Sequence, residues 1–276
     1  MNNFVKRTLS GIVFVAVFVA CILYNASTFC ILFAVVAALV TDEFCRIVED
    51  HGMAQPNRTV CIMAGVYLFL ASFLYNTRGL PAVVFMPYLF SLLFIIVSEI
   101  YQKSKTPIAN WAYAFASQIY IALPFALLNS MVTNEDGYSG LLPLSIFIFL
   151  WLNDTGAYVT GSLLHKKIPY QLAPRISPHK TWVGSIGGVI VVLAAAVLLC
   201  HITHTGTMWT WMGLGLTVSV AGTYGDLTES LMKRHIGMKD SGKFLPGHGG
   251  VLDRFDSALL AIPAATIYTY CIHFTC

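Results

Sequence analysis

Hydrophobic residues run along this chain in nine long stretches, at about 8–24, 27–44, 59–76, 80–100, 108–130, 139–160, 183–201, 208–226 and 256–274. Each is close to the roughly 20 apolar residues a helix needs to cross a bilayer. The breaks carry turn or polar residues: Asn25, Asp50-His51-Gly52, Asn76 through Gly79, Lys103 through Pro107, and Asn134 through Gly137. After these come a basic stretch at 162–182, the short break His201 through Thr207, and a polar stretch at 229–256. Pro81 joins the third and fourth segments. Pro124 lies inside the fifth, where its missing N–H predicts a kink. No repeat and no low-complexity tract interrupts the pattern. The expected fold is all-α, a polytopic helical membrane protein of about nine transmembrane helices. Residues 1–276 form a single integral membrane domain, with five N-terminal helices in 1–130 and four more in 131–276 beside the loops 162–182 and 229–256.

Composition sharpens this. The chain is 57% hydrophobic and 11% charged, with a mean hydropathy of +0.72, against about 45–50% apolar and about 25% charged for a soluble domain. Disorder, collagen, a basic nucleic-acid tail and an ordinary cytosolic enzyme are excluded. The net charge of +3 says less than the placement of the charges. The N-terminus and every second loop hold all of the 16 Lys and Arg except Arg78. By the positive-inside rule the N-terminus is cytoplasmic and the C-terminus external. Lys6-Arg7 ahead of an apolar run also resembles the start of a signal peptide, but the run is long and no clear A-x-A site follows. The seven cysteines are odd in number and lack a C-x-x-C spacing. Most sit in apolar runs, so neither a disulfide framework nor a zinc site is implied.

Polar chemistry gathers in two loops that parity places on one face of the membrane. The loop at 162–182 follows Asp154 and contains Ser177-Pro178-His179-Lys180-Thr181-Trp182. The loop at 229–256 follows Asp226, and Asp253-Arg254-Phe255-Asp256 closes it. A charge at the bilayer centre costs about 2.5–3.5 kcal/mol even on lenient scales. Asp154 and Asp226 at the ends of apolar segments therefore need a partner or a task. On a helix Asp226, Glu229 and Lys233 share a face, as do Asp253 and Asp256. Carboxylates bare of Cys and nearly bare of His suit a hard cation such as Mg²⁺. Lys180, Lys233, Arg234, Lys239, Lys243 and Arg254 are matched to phosphate oxygens. Gly247, Gly249 and Gly250 let backbone N–H groups approach an anion. His248 between glycines reads as a turn or hydrogen-bonding residue, and Asp42, Glu43, Glu49 and Asp50 as charges at a helix end. The glycines of 184–188 read as a close helix–helix contact.

The segment from Ser230 to Asp256 resembles the signature of the phosphatidate cytidylyltransferases, or CDP-diacylglycerol synthases. The matching positions are Ser230, Lys233-Arg234, Lys239-Asp240, His248-Gly249-Gly250 and Asp253-Arg254-Phe255-Asp256. The earlier loop is similar too, through Asp154-Thr155-Gly156-Ala157-Tyr158 and Leu172 through Trp182, with Ser162 and Val183 departing from the family pattern. The first 130 residues match only as hydrophobic helices. The resemblance makes 131–276 the catalytic half. It implies transfer of CMP from CTP to phosphatidate, giving CDP-diacylglycerol and pyrophosphate. Asp226 and Asp253 would then hold Mg²⁺, and Lys239, Arg254 and Asp256 would act with them. Asp154, Ser177, Lys180, Thr181, Lys233, Arg234, Asp240, His248, Gly249 and Gly250 would bind substrate.

The implied partners are CTP, phosphatidate and membrane lipid, with a second copy of the chain as a possible partner and no nucleic acid. The implied location is a membrane, with a bacterial inner membrane favoured by the short loops and the site on the cytoplasmic face. Two other functions compete. A CTP-dependent kinase of the polyprenol type would transfer a terminal phosphoryl group. A cation or proton transporter would use Asp154 and Asp226 near the bilayer midplane. A CDP-alcohol phosphotransferase is disfavoured because its D-G-x-x-A-R core is absent.

Overall fold

The computed structural model describes residues 3–134, 137–165, 170–238, 241–242 and 249–274, with side chains from residue 11 onward. Each of the nine apolar stretches is helical. In chain order they are α1 (Asn3–Tyr24), α2 (Ala26–Asp50), α3 (Arg58–Arg78), α4 (Met86–Tyr101, entered by a 3₁₀ turn at Ala82–Phe85) and the interrupted pair α5 (Pro107–Ala116) and α6 (Leu123–Leu128). Then follow α7 (Leu141–Leu164), α8 (Trp182–Thr203), α9 (Met208–His235) and α10 (Leu252–Cys271). Among the described residues six helices are long and apolar enough to cross a membrane: Ala26–Asp50, Arg58–Arg78, Ala82–Tyr101, Pro107–Met131, Leu141–Leu164 and Trp182–Thr203. The part of α1 from Gly11 to Tyr24 is apolar but shorter. The protein is an all-α integral membrane protein.

Local chemistry sets the breaks. Asn25 leaves the helical region (φ −166°) and forms a capping box with Thr28, its side chain accepting the Thr28 N–H at 2.8 Å. One unpaired helical turn is thus exchanged for two satisfied donors. Gly79 ends α3 in the left-handed conformation at φ +63°, which a Cβ would oppose. Between α5 and α6, residues Ser117–Ala122 form a π-helical turn in which Leu123 donates five residues back to the Gln118 carbonyl. Pro124, one residue further on, has no N–H to continue the ordinary ladder, so the kink predicted there takes this form.

The chain divides into two compact units. One comprises Met1–Gly140 and Asp240–Arg254; the other comprises Leu141–Lys239 and Phe255–Cys276. In the first, Phe18, Phe29, Phe33, Phe69 and Phe125 are essentially fully buried. Their rings meet edge-on or tilted, Phe18–Phe33 at 5.6 Å and Phe29–Phe33 at 4.7 Å. Polar side chains stitch the same helices: Gln118 donates to the Cys61 carbonyl (2.9 Å), Ser72 to the Ala126 carbonyl (2.7 Å) and Asn129 to the Phe69 carbonyl (3.0 Å). Tyr138 ends the short β1–β2 ribbon (Thr133–Asn134 and Gly137–Tyr138) and donates to the Ile22 carbonyl at 2.5 Å.

In the second unit α7 and α8 pack backbone against backbone. A Cβ at Gly188 would lie 2.6 Å from the Asn153 carbonyl oxygen, and one at Gly156 would lie 3.0 Å from Gly188 Cα. This is the contact expected of the 184–188 glycines. Residues 162–182, read from sequence as a loop, contain an antiparallel hairpin, β3 (Gln171–Ala173) and β4 (Ser177–Thr181), paired Gln171 to Thr181 and Ala173 to Ser177. The strand runs directly into α8, where Thr181 caps the helix by accepting the Gly184 N–H at 3.1 Å. Trp211 of α9 is fully buried, donates to the Thr205 carbonyl (2.8 Å), and meets Phe274 edge-on at 5.3 Å.

Candidate active site

The hairpin gives Lys180 its place. β4 carries it to α9, where its ammonium group forms an ion pair with Asp226. Both side chains keep about a quarter of their surface exposed, 27% and 28%, so the pair faces an opening rather than a sealed core. Ser230, one turn along α9, donates to the other Asp226 oxygen at 3.2 Å. Asp154 of α7 lies close enough to interact electrostatically with both Asp226 and Lys180. Asp256, at the start of α10, likewise lies within electrostatic reach of Asp226, Asp154 and Lys233, and its Oδ1 accepts the Ser257 N–H at 2.5 Å. Three carboxylates from three helices and two lysines are thereby concentrated in the second unit.

A pocket of about 830 Å³ opens onto this cluster, within the range of cavities that hold a small-molecule ligand. Its wall includes Asp154, Ser177, Lys180, Thr181 and Asp226 among the residues expected from the sequence, and it adds Asn153, Tyr158, His165, His179 and Thr223. Asn153 fixes the floor: its side-chain amide donates to Thr223 Oγ1 at 3.3 Å, bridging α7 and α9. Asn153 and Thr223 went unnoticed in the sequence because a single polar residue in an apolar helix carries no spacing signal.

Other expected residues fall elsewhere. Lys233 pairs with Glu229 at 2.5 Å, and Glu229 is 1% exposed. Arg234 reaches the Ile176 carbonyl of the hairpin turn at 3.4 Å, tying the end of α9 to β3–β4. Lys239, Asp240 and His248 lie outside the described residues. Gly249, Gly250, Asp253 and Arg254 belong to the first unit. There the Asp253 carboxylate accepts the Ser241 N–H (3.1 Å) and the Gly250 N–H (3.0 Å). The anion that Gly250 meets is therefore a carboxylate of the signature itself. Gly249, at φ +80°, supplies the left-handed residue that lets the chain turn back on Asp253.

Among the described residues no group of three or more His, Cys, Asp or Glu side chains is assembled closely enough to hold a metal unaided. Mg²⁺ is usually held by one or two carboxylates with substrate phosphates and water completing the octahedron. Asp226 in the pocket wall carries oxygen donors of the kind Mg²⁺ takes. Lysines beside carboxylates, in an open pocket lined by α7, α8 and α9, suit a membrane enzyme that handles a phosphate-bearing substrate.

Comparison with known proteins gives that class its family. Residues 5–272 match the model of the cytidylyltransferase family, and the chain belongs to that family. It is 32% identical over 263 residues to a phosphatidate cytidylyltransferase of Staphylococcus haemolyticus, covering 95% of this chain and 97% of the relative. It is 31% identical, with the same coverage, to the phosphatidate cytidylyltransferase of Staphylococcus aureus strain COL. The phosphatidate cytidylyltransferase of Staphylococcus saprophyticus is 36% identical over 181 residues, 65% of this chain and 67% of that one.

Proposed function

We propose that the protein transfers CMP from CTP to phosphatidate, producing CDP-diacylglycerol and pyrophosphate for phospholipid synthesis. The observation that carries this reading is the Lys180–Asp226 pair beside Asp154 in an open pocket lined by α7, α8 and α9, in a chain whose relatives bear the corresponding name. A phosphate monoester has a second pKa of about 6, so phosphatidate is largely dianionic at neutral pH and attacks without a protein base. The lipid phosphate oxygen forms a bond to the α-phosphorus of CTP as the bond to pyrophosphate breaks. The barrier is the approach of two polyanions. Lys180 is placed to take a phosphate oxygen in exchange for its Asp226 partner, and the Ser177 and Thr181 hydroxyls in the pocket wall orient the group. Arg254 and Lys239 are assigned to the nucleotide. Mg²⁺ would supply neutralisation of the triphosphate charge, and the carboxylates of Asp226 and of Asp253 are each proposed as a magnesium ligand.

Purified protein supplied with phosphatidate and labelled CTP tests the reading. Label from the α-phosphate appearing in lipid, with release of pyrophosphate, is the expected result. Label from the γ-phosphate alone means a lipid kinase, and no transfer means a transporter or scaffold; either outcome overturns the proposal.

The Lys and Arg asymmetry supports a cytoplasmic N-terminus and a cytoplasmic site, in a bacterial inner membrane for a chain with these relatives. A reporter fused after Cys276 should read as external, and one inserted after α2 as cytoplasmic. A cytoplasmic C-terminus would overturn the nine-span arrangement.

A further inference from the structure

Glu43 has no part in the chemistry above, yet it is buried, with 9% of its surface exposed near the end of α2. Its two oxygens are both engaged by the signature segment. Ser241 Oγ donates to Oε1, and the Val251 N–H donates to Oε2 at 2.6 Å. Gly250 lies against the same carboxylate: a Cβ there would collide with Glu43 Oε1 and Ser241 Oγ. A Cβ at Gly242 would also press on it, at 3.1 Å from Oε1. Glu43 and Asp253 share Ser241, which gives its hydroxyl to Glu43 and its backbone N–H to Asp253, and Gly250, packed against Glu43, gives Asp253 a second N–H.

We propose that Glu43 is the positioning residue of the signature segment: it clamps Ser241 and Val251, and through Ser241 and Gly250 it sets the orientation of the Asp253 carboxylate. The glycine at 250 follows from this, because any side chain would occupy the place of the Glu43 head group. The role is one of shape and acceptor geometry. Two oxygens at one fixed spacing receive two donors, the Ser241 hydroxyl and the Val251 N–H. The catalytic consequence rests on the function proposed above; the clamp itself does not.

The test uses the purified full-length protein and two readouts. Amide hydrogen exchange at Ser241 and at Gly250–Val251 needs no substrate. In Glu43→Ala these amides should exchange about 10- to 100-fold faster, the range that loss of hydrogen bonds to a charged acceptor commands, while α3 is unchanged. The Mg²⁺ concentration giving half-maximal CMP transfer should rise about 10-fold, as expected when a ligand carboxylate loses the partners that orient it. Glu43→Gln keeps one acceptor for Val251 and offers its NH₂ to Ser241 Oγ, so it should recover most of both properties. Wild-type exchange in Glu43→Ala would overturn the clamp. Fast exchange with unaltered Mg²⁺ demand would overturn its link to Asp253. Glu43→Gln as impaired as Glu43→Ala would overturn positioning in favour of a need for the charge itself. Should Glu43→Ala fail to fold, Ser241→Ala removes one donor alone and should shift both readouts in the same direction by less; wild-type values in that variant would also overturn the proposal. Wild-type protein unable to use CTP would sink the enzymatic reading and leave the exchange result standing.

Discussion

Asp226→Asn should lower CMP transfer by about 10²- to 10³-fold, the cost of removing one preorganised electrostatic group from a site where charge develops. The change keeps the size of the side chain and one acceptor oxygen. It removes the negative charge that pairs with Lys180 and that the proposed magnesium ion would require. Stability should change by only about 1 kcal/mol, because an ion pair still in contact with water is worth little. Lys180→Met should show a loss of similar size. The double variant should be about as inactive as either single one, since residues acting as a unit are not additive. Turnover of each variant at saturating CTP, measured across a magnesium series beside its melting temperature, checks the prediction. Near-normal turnover in Asp226→Asn would remove Asp226 from the machinery. A large loss of melting temperature with activity retained would make the pair a structural tie.

Gly188→Val is expected to have the largest effect on folding. The first atom of the new side chain would fall 2.6 Å from the Asn153 carbonyl and 2.7 Å from Asn153 Oδ1, so α7 and α8 must move apart along their contact. Overpacking of this kind costs about 1–3 kcal/mol and occasionally more, and here the obstacle is backbone, which cannot rotate away. Asn153 precedes Asp154 and holds Thr223, so separation of the helices should also empty the pocket of activity. Folded yield after solubilisation and the thermal midpoint are the measurements. Gly11→Ala serves as the comparison, since a Cβ there meets nothing within 4 Å. Equal behaviour of the two variants would show that the α7–α8 contact is loose.

The helices were legible in the sequence because lipid imposes a long apolar run on each span, and such runs need no tertiary context to be seen. Their polar ends were not. α2 continues to Asp50 and α9 to His235, several residues past the apolar stretches at 27–44 and 208–226, since charged residues sustain a helix as well as apolar ones do once it leaves the hydrocarbon. The π turn at 117–122 and the β3–β4 hairpin depend on local hydrogen bonding that apolar patterning does not encode. In the site, the carboxylates and lysines were visible as charges out of place. Which lysine serves which carboxylate was not, because Lys180 and Asp226 are 46 residues apart and several other lysines were equally eligible. Glu43 was invisible for the opposite reason. Beside Asp42, Arg46, Glu49 and Asp50 it looks like one more charge at a helix end, and only its burial sets it apart.

The span of the Glu43 contacts bears on how the protein is made. Glu43 precedes Ser241 by 198 residues and Val251 by 208. At about 5–20 residues per second of synthesis, the carboxylate waits about 10–40 seconds for its partners. Through that interval the first helices are already leaving the ribosome with an acidic group that their own sequence leaves unmatched. The nascent chain must keep it hydrated, or hold the end of α2 at the membrane surface, until the last helix emerges. Products truncated before Ser241 therefore lack both contacts that Glu43 makes with the signature.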